Sequence, residues 1–86
     1  MKVSVYDSYV KRDDDSIMHF DILVAENTTL NSILKYGKSY LAGKGVGINE
    51  FTTSECRFCH IANASQEVRN SIAAKGYHIV ELENCD

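Results

Sequence analysis

The 86-residue sequence predicts a single α+β domain, a two-layer arrangement of a four-stranded mixed sheet with two helices on one face. Three observations predict it. Apolar residues alternate over Lys2–Val10 and again over Ile17–Val24, which is the period of a strand. Over residues 30–41 the spacing changes to three and four, the period of a helix. A strand–helix–strand run then completes the chain, so the order reads β-β-α-β-α-β. No repeat, linker or low-complexity segment interrupts residues 1–86. That length is too short for two cores. Leu, Ile, Val and Phe number 5, 7, 7 and 3, enough for one compact core rather than a disordered chain.

In the first strand Val3, Val5 and Tyr9 share one face, while Lys2, Ser4, Tyr6 and Ser8 share the other. In the second, Met18, Phe20, Ile22 and Val24 stand against His19 and Asp21. The polar run Lys11–Ser16 between them predicts an antiparallel hairpin. Pairing Val10 with Ile17 gathers Val5, Tyr9, Met18 and Ile22 into one apolar face. The same register sets Ser8 opposite His19 and Tyr6 opposite Asp21. Asp7 is the anomaly. Alternation puts its carboxylate among Val3, Val5 and Tyr9, where it needs partners unless it lies at the sheet margin.

Asn27 or Thr28 is the expected cap of the first helix. Its stripe is Leu30, Ile33, Leu34, Gly37 and Leu41. Glycine inside a helix costs about 1 kcal/mol against alanine, so Gly37 implies a close helix–sheet contact. Gly43 is the expected stop, followed by a glycine-bearing loop over Lys44–Asn49. A third strand falls between Glu50 and Ile61. The second helix starts near Asn63 or Ser65, presents Val68 and Ile72, and ends at Gly76. Tyr77–Glu83 is apolar on both faces, which predicts an internal strand reached through a right-handed parallel crossover. Asn27-Thr28-Thr29 and Asn63-Ala64-Ser65 match the glycosylation pattern but read as helix starts.

A formal net charge of −3 disfavours binding nucleic acid by phosphate neutralisation. No apolar run is long enough for a membrane span. Asp7 interrupts the region where an export signal needs apolar residues, and an odd number of cysteines fits a reducing compartment. A cytoplasmic location is therefore expected.

Cys56-Arg57-Phe58-Cys59-His60 is the densest chemical cluster. With Cys85 it offers a four-ligand zinc set of Cys56, Cys59, His60 and Cys85. A second paired half is missing, however, and an extended strand sends Cys56, Phe58 and His60 one way and Cys59 the other. The same five residues match the c-type haem attachment pattern, which goes with export. A thioredoxin-like pair would stand at a helix N-terminus. Packing as small apolar groups is the preferred reading of the cysteines, and no cofactor is expected. Tyr6, Ser8, His19 and Asp21 form a second candidate, with the atoms for acid–base or nucleophilic work; the competing reading is an ordinary solvated sheet face. Tyr36-Gly37-Lys38-Ser39 has Ser32 where a phosphate loop needs glycine. Gly43–Gly47 follows a helix instead of a strand, and Asp13–Asp15 lacks the further ligands of a calcium loop. Finally, Tyr6, Val10, Ile17 and Leu23 form an apolar set on the second sheet face. Such a set predicts self-association as a two-fold homodimer.

Asp7-x-Tyr9-Val10, Met18-His19-Phe20-Asp21, Cys56-Arg57-Phe58-Cys59-His60, Gly76-Tyr77 and Cys85 together resemble domain-of-unknown-function family number two thousand twenty-four, a group of small bacterial proteins. The resemblance covers almost the whole chain and implies a compact α+β domain of bacterial origin. It implies no activity, and no catalytic or ligand residue follows from it. The leading expectation is a structural or interaction module without chemistry of its own. The alternatives are a zinc-binding domain and a small-molecule binder or enzyme centred on His19 and Asp21.

Overall fold

A computed structural model describes residues 1–47 and 51–86. Its elements are β1 (Lys2–Lys11), β2 (Ile17–Ala25), α1 (Leu30–Gly43), β3 (Cys56–Asn63), α2 (Gln66–Lys75) and β4 (His78–Glu83). The class is α+β, with four strands and two helices in the expected sequence. The expected strand start at Glu50 and the end of the Lys44–Asn49 loop lie outside the described residues.

The sheet order is β3-β1-β2-β4, and each neighbouring pair is antiparallel. The sheet is therefore antiparallel rather than mixed. The parallel crossover does not form, because β3 and β4 take opposite edges of the central hairpin. Each then pairs antiparallel with the hairpin strand beside it, where ladder bonds run straight rather than slanted. β4 is an edge strand, not the internal one its apolar pattern predicts.

The hairpin register also differs from expectation by one residue. Lys11 faces Ile17, Val10 faces Met18, Ser8 faces Phe20 and Asp7 faces Asp21. The turn causes the shift. Arg12 N donates to Ser16 O (2.9 Å) and Asp15 N to Arg12 O (3.0 Å). Asp15 closes the loop at a φ of 69°. Such a three-residue loop needs one left-handed residue, usually glycine. Asp tolerates that conformation, so no glycine advertises the turn.

Directly opposed residues share a face. Tyr6, Ser8 and Val10 thus lie with Met18, Phe20, Ile22 and Val24, and Ile33 and Leu41 of α1 pack on this side. Val3 and Val5 lie with Leu23 on the other, beneath Val68 and Ile72 of α2. The helices consequently cover opposite faces instead of one. Ile22-Leu23-Val24 is buried on both sides of the sheet, and a single layer of helices leaves one of those sides wet. The apolar set expected to mediate self-association is dispersed in the same way. Val10 is buried on the α1 side and Leu23 on the α2 side, which leaves Ile17 exposed.

Thr29, rather than Asn27 or Thr28, caps α1, its hydroxyl accepting from Ser32 N (3.2 Å). The left-handed exit is at Gly45 (φ 72°) instead of Gly43. Ser65 and Gly76 bound α2 as predicted. Gly37 does serve a close approach, but the partner is a ring: a Cβ there would overlap Phe51, which stacks on Phe20. Past β4 the chain turns at Asn84 (φ 55°). Cys85 re-enters the core, its thiol donating to His19 O (3.3 Å). Arg12 Nη1 donates to Asn84 O and Asp86 O (2.8 Å each), which ties residues 84–86 to the hairpin turn. Among the described residues no helix is long and apolar enough to cross a membrane.

Gly37→Ala is expected to lower stability by about 1–3 kcal/mol, the usual cost of overpacking a core. Better helix propensity returns up to about 1 kcal/mol of that. The measurement is urea unfolding of Gly37→Ala alone and combined with Phe51→Leu. The smaller side chain should make the alanine less costly, and an equal cost in both backgrounds would refute the contact.

Candidate functional site

On the α2 side, the covered stretch of Val3, Val5 and Leu23 gives way toward the hairpin turn to four polar residues. Strand period and register bring them together: Asp7 lies directly opposite Asp21, and Tyr9 directly opposite His19. All but Tyr9 are half-buried.

Two carboxylates placed directly across a strand pair repel, and they resolve the conflict by titrating apart. Burial, then the neighbouring Asp7 carboxylate, pushes Asp21 up to about 7. Asp7 is held below the usual carboxylate range, chiefly by its hydrogen bond with Asp21. The two carboxyls form an unequal pair, Asp21 above and Asp7 below the ordinary carboxylate range.

His19 completes the cluster. Its ring stacks on Tyr9 (centroids 4.1 Å apart, planes 12° apart). Nε2 is held 3.9 Å from Asp7 Oδ1 and 4.0 Å from Asp21 Oδ1, beyond hydrogen-bond reach of either. His19 Nε2 and Asp21 Oδ1 are both shielded from solvent and have no hydrogen-bond partner. Buried polar atoms left in this state are costly and uncommon. Asp7, Tyr9, Glu55, Arg57 and Cys59 border an open depression of about 510 Å³ beside them.

The expected quartet is thus divided. His19 and Asp21 do meet, but the shifted register carries Tyr6 and Ser8 to the α1 side. There Ser8 is fully buried between Phe20 and Cys56, and Tyr6 sets its ring edge-on to Phe58 (5.6 Å, 74°). Asp7 and Tyr9 take their places. The signal for Asp7 was its misfit in the alternation: it is a carboxylate on an apolar face with two polar partners across the strand.

The expected zinc set is not assembled. Cys56 is buried opposite Ser8 on the α1 side, and burial pushes its thiol up. The β1–β3 ladder then skips a residue, with Tyr6 facing Phe58 and Val5 facing His60. This bulge at Cys59 turns Cys59 and His60 to the α2 side, where Cys59 lies beside Asp7 and 3.2 Å from His60 Nδ1. The expected separation of Cys56 from Cys59 is present. His60 does not share a face with Phe58, because the bulge resets the alternation. Phe58 is 55% exposed. Cys85 lies in the core by β2. Among the described residues, the group that places three ligand atoms within 4.8 Å of one another is Asp7, His19 and Asp21.

A second surface lies on β3. The helices pack mainly on β2 and β4, so this edge strand is exposed along most of its length. Phe58 and Ile61 emerge on its α1 side near Leu30, another exposed residue. Beside them Tyr6, Leu30, Cys56 and Phe58 help to line a cleft of about 540 Å³.

A family model described as "Domain of unknown function (DUF2024)" matches residues 1–82. The NMR structure of protein NE1680 from Nitrosomonas europaea, a Northeast Structural Genomics Consortium target, is 36% identical to this chain. The match covers 100% of both chains, with a TM-score of 0.85. Among curated proteins none matches.

The unequal carboxyls predict a definite pH dependence. The folded pKa of Asp21, about 7, lies above its unfolded value of about 3.9, so the native state binds more protons between them. The contribution of Asp21 to stability is full below the unfolded value and is lost as pH rises through about 7. Asp7 runs the other way, its contribution being lost as pH falls through its depressed folded value. Asp21→Asn should therefore gain stability relative to wild type as pH rises from about 4 to about 7. Denaturant unfolding across that range, with carboxyl ¹³C titration, checks it. An Asp21 carboxyl that titrates near its unfolded value would refute the unequal pair.

Proposed function

This chain belongs to the DUF2024 family, and we propose that it serves there as a small protein-interaction module that self-associates through β3. One observation carries the reading: a strand left outside both helix layers exposes Phe58 (55%), Ile61 (43%) and the neighbouring Leu30 (42%) on one side. Burying such residues is favourable at roughly 25 cal/mol per Å² of apolar surface. Phe58 projects beside a cleft that Tyr6 and Leu30 help to line. A projection and a recess on one patch are what a two-fold interface needs, since each copy offers both to the other. Arg57 and the bulge at Cys59 blunt the edge against open-ended strand addition. They favour a closed pair over a fibre.

No chemistry is required of such a module. Its three free thiols, with Cys59 exposed, fit the reducing cytoplasm. A net charge of −3 favours a protein partner over nucleic acid. A ligand site centred on His19 and Asp21 is a second reading, favoured by the two orphaned atoms there. Zinc at Cys56, Cys59, His60 and Cys85 gains no support from their separate placement.

Sedimentation velocity between about 1 and 100 μM tests the interaction. The wild-type chain should sediment as a dimer at the upper end. Phe58→Glu should remain monomeric with an unchanged circular dichroism spectrum. A wild-type monomer at every concentration would overturn the proposal.

A further inference from the structure

We propose that Asp7, His19 and Asp21 form a binding site for a divalent transition cation, with Zn²⁺ as its reference ion. Its ligands all lie on the central hairpin rather than on β3. Its geometry is the first argument. His19 Nε2 stands 3.9 Å from Asp7 Oδ1 and 4.0 Å from Asp21 Oδ1, with all three ligand atoms within 4.8 Å of one another. The 3.9 and 4.0 Å spans leave room for an ion between His19 Nε2 and either carboxyl oxygen at Zn–N and Zn–O bond lengths of about 2.0–2.2 Å. The spacing is too long for hydrogen bonds and suited to an ion in the middle.

The second argument is the unmet demand of the atoms themselves. His19 Nε2 and Asp21 Oδ1 are shielded from solvent with no partner. A cation satisfies both, and it draws the two directly opposed carboxyls toward itself. Rigidity is the third. The carboxyls come from adjacent positions of one strand pair, and the Tyr9 ring holds the imidazole by stacking, so little ordering remains when the ion arrives. The depression bordered by Asp7, Tyr9 and Cys59 is the way in.

Ligand chemistry sets the class. Ca²⁺ takes six to eight oxygens, and Mg²⁺ demands octahedral oxygen ligands and keeps its waters. An imidazole nitrogen with two carboxylates favours a transition ion. Cys59 and His60, 3.2 Å apart, are the nearest competing pair.

The test adds ZnCl₂ to the full chain and follows long-range ¹H–¹⁵N correlations of the three histidines, His19, His60 and His78, beside calorimetry. One Zn²⁺ per chain should bind, with a metallation shift at His19 Nε2 and none at His60 or His78. His19→Gln and Asp7→Asn should each weaken binding about tenfold or more, while His78→Gln leaves it unchanged. MgCl₂ at about 100-fold excess should not displace the ion. Three results would overturn the site: no shift at His19 in millimolar Zn²⁺, metallation of His60 with binding lost in Cys59→Ser, or displacement by Mg²⁺. The histidine spectra come from the wild-type chain, so they decide the matter even where a variant fails to fold.

Discussion

The hairpin register is the constraint on which the rest of this structure depends. Asp15 adopts a left-handed conformation, the loop closes in three residues, and Ser8 falls opposite Phe20 rather than His19. A slip of one position exchanges the two faces of a strand. Every later feature follows from which face each residue received. Ser8 is consigned to the core, Tyr6 reaches the β3 side of α1, and Asp7 is brought against Asp21. The polar run Arg12–Ser16 holds the turn from within, with Ser16 N and Oγ both donating to the Asp14 carboxylate.

Around this hairpin the two sheet edges are treated differently. β4 is tied down on several sides: Tyr36 stacks on Tyr77, Tyr40 donates to Glu81, and Lys44 pairs with Glu81 (2.7 Å). The C-terminal turn adds Cys85 to the core beyond it. β3 is anchored by Cys56 in the core and by Phe58 against Tyr6, but it lies outside the main helix contacts. Phe58 and Ile61 are the large apolar residues it leaves exposed. The asymmetry leaves apolar surface exposed at β3 and puts the structural reinforcement at β4.

The bulge at Cys59 links this edge to the polar cluster. It leaves Phe58 on the α1 side and turns Cys59 and His60 toward Asp7. One irregular residue thus separates an apolar surface from a charged one across the thickness of a single strand. The cluster itself costs stability, since it opposes two carboxyls and leaves buried atoms unpartnered. The well-packed remainder of the sheet carries that cost. Local conflict inside an otherwise consistent fold falls at functional or strained positions.

Local rules decided much of this protein from the sequence alone. The strand and helix periods, the α+β class, the Ser65 and Gly76 boundaries of α2 and the separation of Cys56 from Cys59 depend only on near neighbours along the chain. His19 and Asp21 share a face for the same reason, being two apart on one strand. Asp7 was legible as a misfit, though not its partner. The partner depends on the register, and the register on a left-handed residue that is aspartate where glycine would announce it. Tertiary structure alone decided the antiparallel edges, the helices on opposite faces and the company His19 keeps. Those choices are settled by which surfaces compete for burial across long sequence separations. Val3 and Leu23 must be covered as fully as Phe20 and Ile33, and no window of neighbouring residues records that both sides of the sheet require it.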